Sequence, residues 1–400
     1  MSNSLFAYIG VMTPPLALVF WANSTAAMSA PPTDAAGKAI VIEAPPALPK
    51  TGCSFRRAIC VHGGDAASSK ATLEALERAW EAGVVLGVPL PRTFDAYLAP
   101  EPSRSAISDR DSLRHFDYAA AFSILDARAA GCARDFEAAR ELYAASALSV
   151  APAIDDASLR GESTALASLA VPCASIDATS FQSRADRALA DPEANPAPFF
   201  AWVDDAFGKE PGRAIAATWA LAPTKTRGDE HWNAEPDVFD VMRESLKDAR
   251  GAGFSFEDAL AELSVARLDL GAPVRFDWDV AWPKSARSLA SPLPVAPTGV
   301  TYVRIDGSGA ASRLRVDATW EEHAKMRWTV VRLDANGHAI AQWEAKAQPK
   351  ATEAHLQVVD TQGAAAFVVV AANVGNWTSP FDPDDGPWEP HGWLLTIGQE

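Results

Sequence analysis

Ser291-Pro292-Leu293-Pro294-Val295-Ala296-Pro297-Thr298-Gly299 divides the chain into two kinds of pattern. Proline lacks an N–H and fixes its own φ, so a stretch this rich in proline continues neither a helix nor a central strand. We read residues 289–299 as a linker. Beyond it, short alternating runs predict strands over 300–305, 313–319, 327–333, 339–345, 355–359 and 366–371. Asp334-Ala335-Asn336-Gly337 supplies a hairpin turn between two of them. Strands at this spacing predict an all-β sandwich over 300–400. Before the linker, apolar residues recur at helical spacing. Strands are expected at 55–62, 93–98 and 118–125, with a helix at 70–86 capped by Ser68-Ser69. Helices then follow at 134–150, 156–170, 178–190, 197–207, 211–221, 236–249 and 256–267. Strands first and helices after predict an α+β domain over 53–288, a small sheet with many helices.

The 400 residues include 35 Lys and Arg against 51 Asp and Glu, a formal net charge of −16. That balance argues against nucleic acid and against an anionic membrane surface, both of which attract cations. A 48% hydrophobic content is ample for a packed core. Residues 1–33 carry no charge, and the apolar run Leu5–Ala22 precedes small residues, which reads as a signal peptide over 1–27. Pro14-Pro15 makes the same run a poor membrane anchor, and no later stretch is apolar enough to span a bilayer. Residues 28–52 form a Pro/Ala-rich leader. The expected location is therefore secreted or periplasmic in a bacterium, where the even set Cys53, Cys60, Cys132 and Cys173 suits disulfides. Cys53 with Cys60 would close a short loop, leaving Cys132 and Cys173.

The informative constellation lies between those last two cysteines and just beyond. Ala139-Arg140-Glu141-Leu142-Tyr143-Ala144 falls on a predicted helix, and Arg160-Gly161-Glu162-Ser163-Thr164-Ala165 falls on the next. Pro198-Phe199-Phe200-Ala201-Trp202 through Phe207-Gly208 follows, and then Ile215-Ala216-Ala217-Thr218-Trp219. In order and spacing these segments resemble secreted bacterial gluzincin-type zinc metallopeptidases. In that pattern one helix carries His-Glu-x-x-His, the next carries a third ligand Glu, and a β-sandwich often follows. The resemblance implies a zincin-like fold for 53–288, with Glu141 as general base and Glu162 as third ligand.

The departures decide what chemistry to expect. Arg140 and Ala144 occupy the two histidine positions. A guanidinium stays protonated and a methyl has no donor, so neither binds a metal. Zinc is therefore expected to be lost, with no cofactor in its place, and no activated water is left for Glu141 to serve. Arg140, or Arg160, is expected to neutralise Glu162, which falls on the apolar stripe of Leu159 and Leu166. The Asp155-Asp156 and Asp204-Asp205 pairs read as caps, and the Phe199, Phe200, Trp202 cluster as helix core. The Asp382–Gly386 turn is an ordinary acidic turn, and Arg227-Gly228-Asp229 a chance tripeptide. The implied function is an inactive peptidase-like module that binds a peptide, a protein or the cell envelope. The alternative is a hydrolase with a rearranged metal site using Glu141 and Glu162.

Overall fold

Eight α-helices and three β-sheets are formed by the described residues. The computed structural model describes residues 42–108, 121–152, 154–221, 238–310, 313–345, 348, 350–376 and 389–400. The signal-peptide reading, the 227–229 tripeptide and the 382–386 turn lie outside them, as do two of the sequence's seven histidines, His115 and His231.

The first sheet contains β1 (Lys50–Cys53), β2 (Ile59–His62), β3 (Phe94–Ala99), β4 (Arg104–Ile107) and β5 (Ala121–Asp126), in the order β1-β2-β3-β5-β4. Three strands, β2, β3 and β5, run parallel, and the outer strands β1 and β4 are antiparallel to their neighbours. Helix α1 (Ala66–Leu86) is the crossover from β2 to β3. It starts one turn earlier than its apolar spacing suggests, because Asp65 is the cap and accepts from the Ser68 N–H at 2.7 Å. It stops at Gly87, whose φ of 84° is open to glycine. The expected strand from 55 keeps only 59–62. Residues 54–58 bulge out as a loop because a disulfide joins Cys53 to Cys60 at either side of it. Lys50–Cys53, at the end of the expected leader, is a strand paired with β2. Strand β4 was not anticipated: Arg-Ser-Ala-Ile is too short to display alternation.

Helices α2 (Gly131–Val150) and α3 (Asp156–Ala170) pack on each other, and α2 also covers β4 and β5. A second disulfide, Cys132–Cys173, ties the start of α2 to the chain after α3. The helix expected over 178–190 is only α4 (Thr179–Ser183). Beyond it the backbone turns outward to pair with the later chain. Val300 N–H donates to the Ala185 carbonyl, Ala296 N–H to that of Asp186, and Leu189 N–H to the Thr298 hydroxyl. Then come α5 (Ala197–Phe207), α6 (Arg213–Leu221), α7 (Val238–Arg250) and α8 (Phe256–Ala266). Asp155 caps α3, and Asp204 accepts from the Gly212 and Ala214 N–H groups at the start of α6.

The remaining strands are β6 (Trp278–Val280), β7 (Arg287–Ala290), β8 (Val300–Asp306), β9 (Leu314–Trp320), β10 (Ala324–Leu333), β11 (Ala339–Glu344), β12 (Glu353–Val358), β13 (Ala366–Asn376) and β14 (Trp393–Gln399). They form sheets of order β11-β10-β13-β8-β6 and β12-β9-β14-β7. One apolar cluster, including Trp328, Val316, Val369 and Leu395, draws on both sheets, which fits a β-sandwich. Strand pairing begins at Trp278, before the proline-rich stretch, and Val295 within that stretch bridges His391. The Asp334–Gly337 turn closes the β10–β11 hairpin as expected, with Gly337 at φ 86°.

Strand β13 explains how the two cores meet. Phe367, Val369 and Ala371 belong to the sheet-on-sheet cluster, whereas Val368, Val370 and Ala372 belong to the helical one. Both faces are dry, which is why its sequence is a continuous apolar run rather than an alternating one. Helix α8 lies on this sheet, fastened by the Tyr302 hydroxyl to the Ser264 carbonyl at 2.8 Å and by Arg327 between Asp258 and Glu344.

The disulfides differ in the chain they enclose, with sequence separations of 41 and 7. Closure entropy then predicts a loss of about 4 kcal/mol on replacing Cys132 and Cys173 by serine, against about 2.5 kcal/mol for Cys53 and Cys60. Urea titrations of the two double variants would measure this, and equal losses would contradict it.

Candidate functional site

A cleft of about 700 Å³ opens between the β4 end of the first sheet and helices α2 and α3. Ser103, Arg104 and Ser105 form one wall, Arg140, Glu141 and Ala144 of α2 the floor, and Arg160 and Thr164 of α3 the other wall. Helical geometry accounts for the set. Residues 140 and 144 share a face one turn apart, as do 160 and 164. Strand β4 is the last named strand of its sheet, and Ile42 bridges Ile107 on its outer side, where the Glu43 N–H donates to the Ile107 carbonyl at 2.9 Å.

Glu141 is almost fully buried at the cleft floor, and both of its carboxylate oxygens are engaged. The Arg140 guanidinium donates to Oε1 from Nε at 2.9 Å, with a second nitrogen at 2.8 Å. The Ser105 hydroxyl reaches Oε2 at 2.8 Å. Ser105 sits opposite Ser123 in the β4–β5 ladder, their hydroxyls 2.8 Å apart, and Ser123 donates to the Glu141 backbone carbonyl at 3.0 Å. Nothing local in the sequence announces the Ser105–Glu141 contact. The residues are 36 positions apart and meet only because β4 folds onto α2.

Glu162 is elsewhere. Three residues per helical turn and a fraction put it on the side of α3 opposite Arg160 and Thr164, facing α6. It is fully buried, as its place on the apolar stripe implies. The expected cation is not its partner: Arg140 is spent on Glu141, and Glu162 bonds instead to the Trp219 indole N–H and the Thr218 hydroxyl. Neutral donors suffice because burial pushes this carboxyl well above the usual carboxylate range, with Asp155 adding in the same direction. Hydrogen counting agrees. The Thr218 hydroxyl lies 2.6 Å from the Ile215 carbonyl and 3.0 Å from Glu162 Oε1, yet it carries one hydrogen. When Glu162 is protonated it can supply the other, donating to Thr218 while Thr218 donates to Ile215.

Among the described residues, those at the cleft floor do not fit a divalent ion. Arg140 and Ala144 offer no donor, and Glu162 points away from Glu141. Among the described residues no three His, Cys, Asp or Glu side chains gather as a metal site would need. His62 stacks on Tyr97 and bonds Asp95 at 2.8 Å, while Cys60 is consumed in its disulfide. No protein-family model matches the chain, and no curated protein matches it significantly.

A neutral buried carboxyl has a defined pH signature. Its folded pKa lies well above the ordinary glutamate value of 4.5, so the stability it allows is complete below that pH and falls as pH rises towards the folded value. Glu162→Gln keeps the shape and the hydrogens of the protonated acid. The variant should match the wild type near pH 4.5 and become the more stable of the two as pH rises, in urea melts. Glu162→Ala orphans Trp219 and opens a void, and should cost about 3 kcal/mol.

Proposed function

We propose that this is an exported, peptidase-like protein whose cleft binds a peptide or protein segment, including one from the cell envelope, without cleaving it. One observation carries the reading: at the floor of an open cleft, both oxygens of the Glu141 carboxylate already accept from protein donors, Arg140 and Ser105. A general base must hold a lone pair towards water or substrate, and here the two best-placed acceptors face protein donors instead. Zinc has no role in this reading. A hydrolase acting jointly through Glu141 and Glu162 is disfavoured, since the second carboxyl lies across α3 from the first.

Binding is what the cleft is suited to. An extended segment lying in the cleft would meet Ser103, Arg104 and Ser105 along one side. Arg160 and Thr164 on the facing wall offer side-chain contacts to its residues. The two disulfides suit an oxidising compartment, in keeping with export.

Dialysed protein analysed for metal should retain no stoichiometric zinc, and casein incubated with it should remain intact. Peptides selected on an array should bind at least about tenfold more weakly to Arg160→Glu and to Thr164→Trp, with unchanged melting temperatures. Cleavage of any peptide that disappears in Glu141→Gln would sink the proposal.

A further inference from the structure

At the far side of the first sheet from the cleft, the hairpin joining β1 and β2 carries Ser54-Phe55-Arg56-Arg57-Ala58 outward. Phe55 is 107% exposed, and its ring meets no neighbouring ring or core cluster among the described residues. Arg56 and Arg57 are exposed as well. No carboxylate among the described residues pairs with either of them. A large aromatic held in water beside two unpaired cations is not explained by the packing of this fold.

The loop is also built to hold its shape. The Cys53–Cys60 disulfide closes its base. The Ser54 hydroxyl accepts from the Arg56 and Arg57 N–H groups at 3.0 Å each and donates to Glu77 of α1. Ala58 accepts from the Phe94 N–H, fastening the loop to the start of β3. Arg92, exposed two residues before Phe94, emerges at the same end of the sheet. On α1 the stripe Leu73, Glu77, Glu81, Val84 runs along this hairpin, and Val84, with Val85 beside it, is exposed beyond the loop. Glu77 is turned onto Ser54, so Glu81 is the exposed acid of that stripe.

We propose that this stapled loop is a peripheral anchor for an anionic lipid surface, with Phe55 entering the interface and Arg56, Arg57 and Arg92 meeting lipid phosphates. The occupant follows from shape and charge. Phe55 stands clear of the protein surface between exposed arginines, and a bilayer interface accepts a protruding ring flanked by arginines. The formal charge of −16 repels such a surface at long range, but the Debye length at physiological ionic strength is only about 8 Å, so the nearest groups decide. Each arginine at the headgroup layer strengthens partition about fivefold, which makes the anchor weak, reversible and sensitive to salt. It does not rest on the cleft reading, because the loop and β4 occupy opposite edges of the sheet.

Flotation of the full chain with phosphatidylcholine vesicles, with and without phosphatidylglycerol, tests the proposal. The protein should float with the anionic vesicles alone and detach as salt is raised. The double variant Arg56→Glu with Arg57→Glu should stay at the bottom of the gradient. Phe55→Ser should bind about tenfold more weakly with the same salt dependence. All these side chains are exposed, so circular dichroism and melting should match the wild type. Failure to float with anionic vesicles, or variants that float like the wild type, would overturn the proposal. So would retention on immobilised polyglutamate without flotation, which would assign the loop to an acidic protein.

Discussion

A carboxyl group in a dry core has two ways to persist: it finds a cation, or it keeps its proton and finds hydrogen-bond partners. Glu162 takes the second way, and the helical layer is arranged around that choice. Its bonds to Thr218 and Trp219 couple α3 to α6, while Gly161 beside it lets Phe200 of α5 approach so closely that a Cβ would lie 2.6 Å from the ring. With Glu162 turned inward, the opposite side of α3 is left to line the cleft.

On that opposite side the logic reverses. Glu141 stays at the cleft floor, and Arg140 is its ion-pair partner. A buried ion pair adds little net stability, though removing one partner is costly. Guanidinium and serine hydroxyl thereby engage one oxygen each. The open volume of the cleft remains beside them.

Buried cations are treated with similar economy elsewhere. Arg267 is fully enclosed against the Phe181 ring at 3.7 Å, with Gln182 and the Phe181 carbonyl as acceptors, and burial pulls it down to about 10 against the opposing pull of Tyr302 and Asp186. It secures the turn after α8 to α4, next to the place where residues 185–189 leave helical geometry to pair with 296–300.

Much of this could be read from residues alone. Apolar spacing located α3 and α5 to the residue, the Asp-Ala-Asn-Gly turn located the β10–β11 hairpin, and the stripe of Leu159 and Leu166 placed Glu162 indoors. These are local properties, set by period and turn chemistry within a few positions. What neutralised Glu162, what held Glu141, why 184–190 is not helix, and where the short strands β4, β6 and β7 pair were decided by contacts between residues tens of positions apart. A carboxyl's partner, a strand's edge and a loop's exposure are set by what the rest of the chain brings alongside. Periodicity carries no record of that, so only the tertiary structure could decide them.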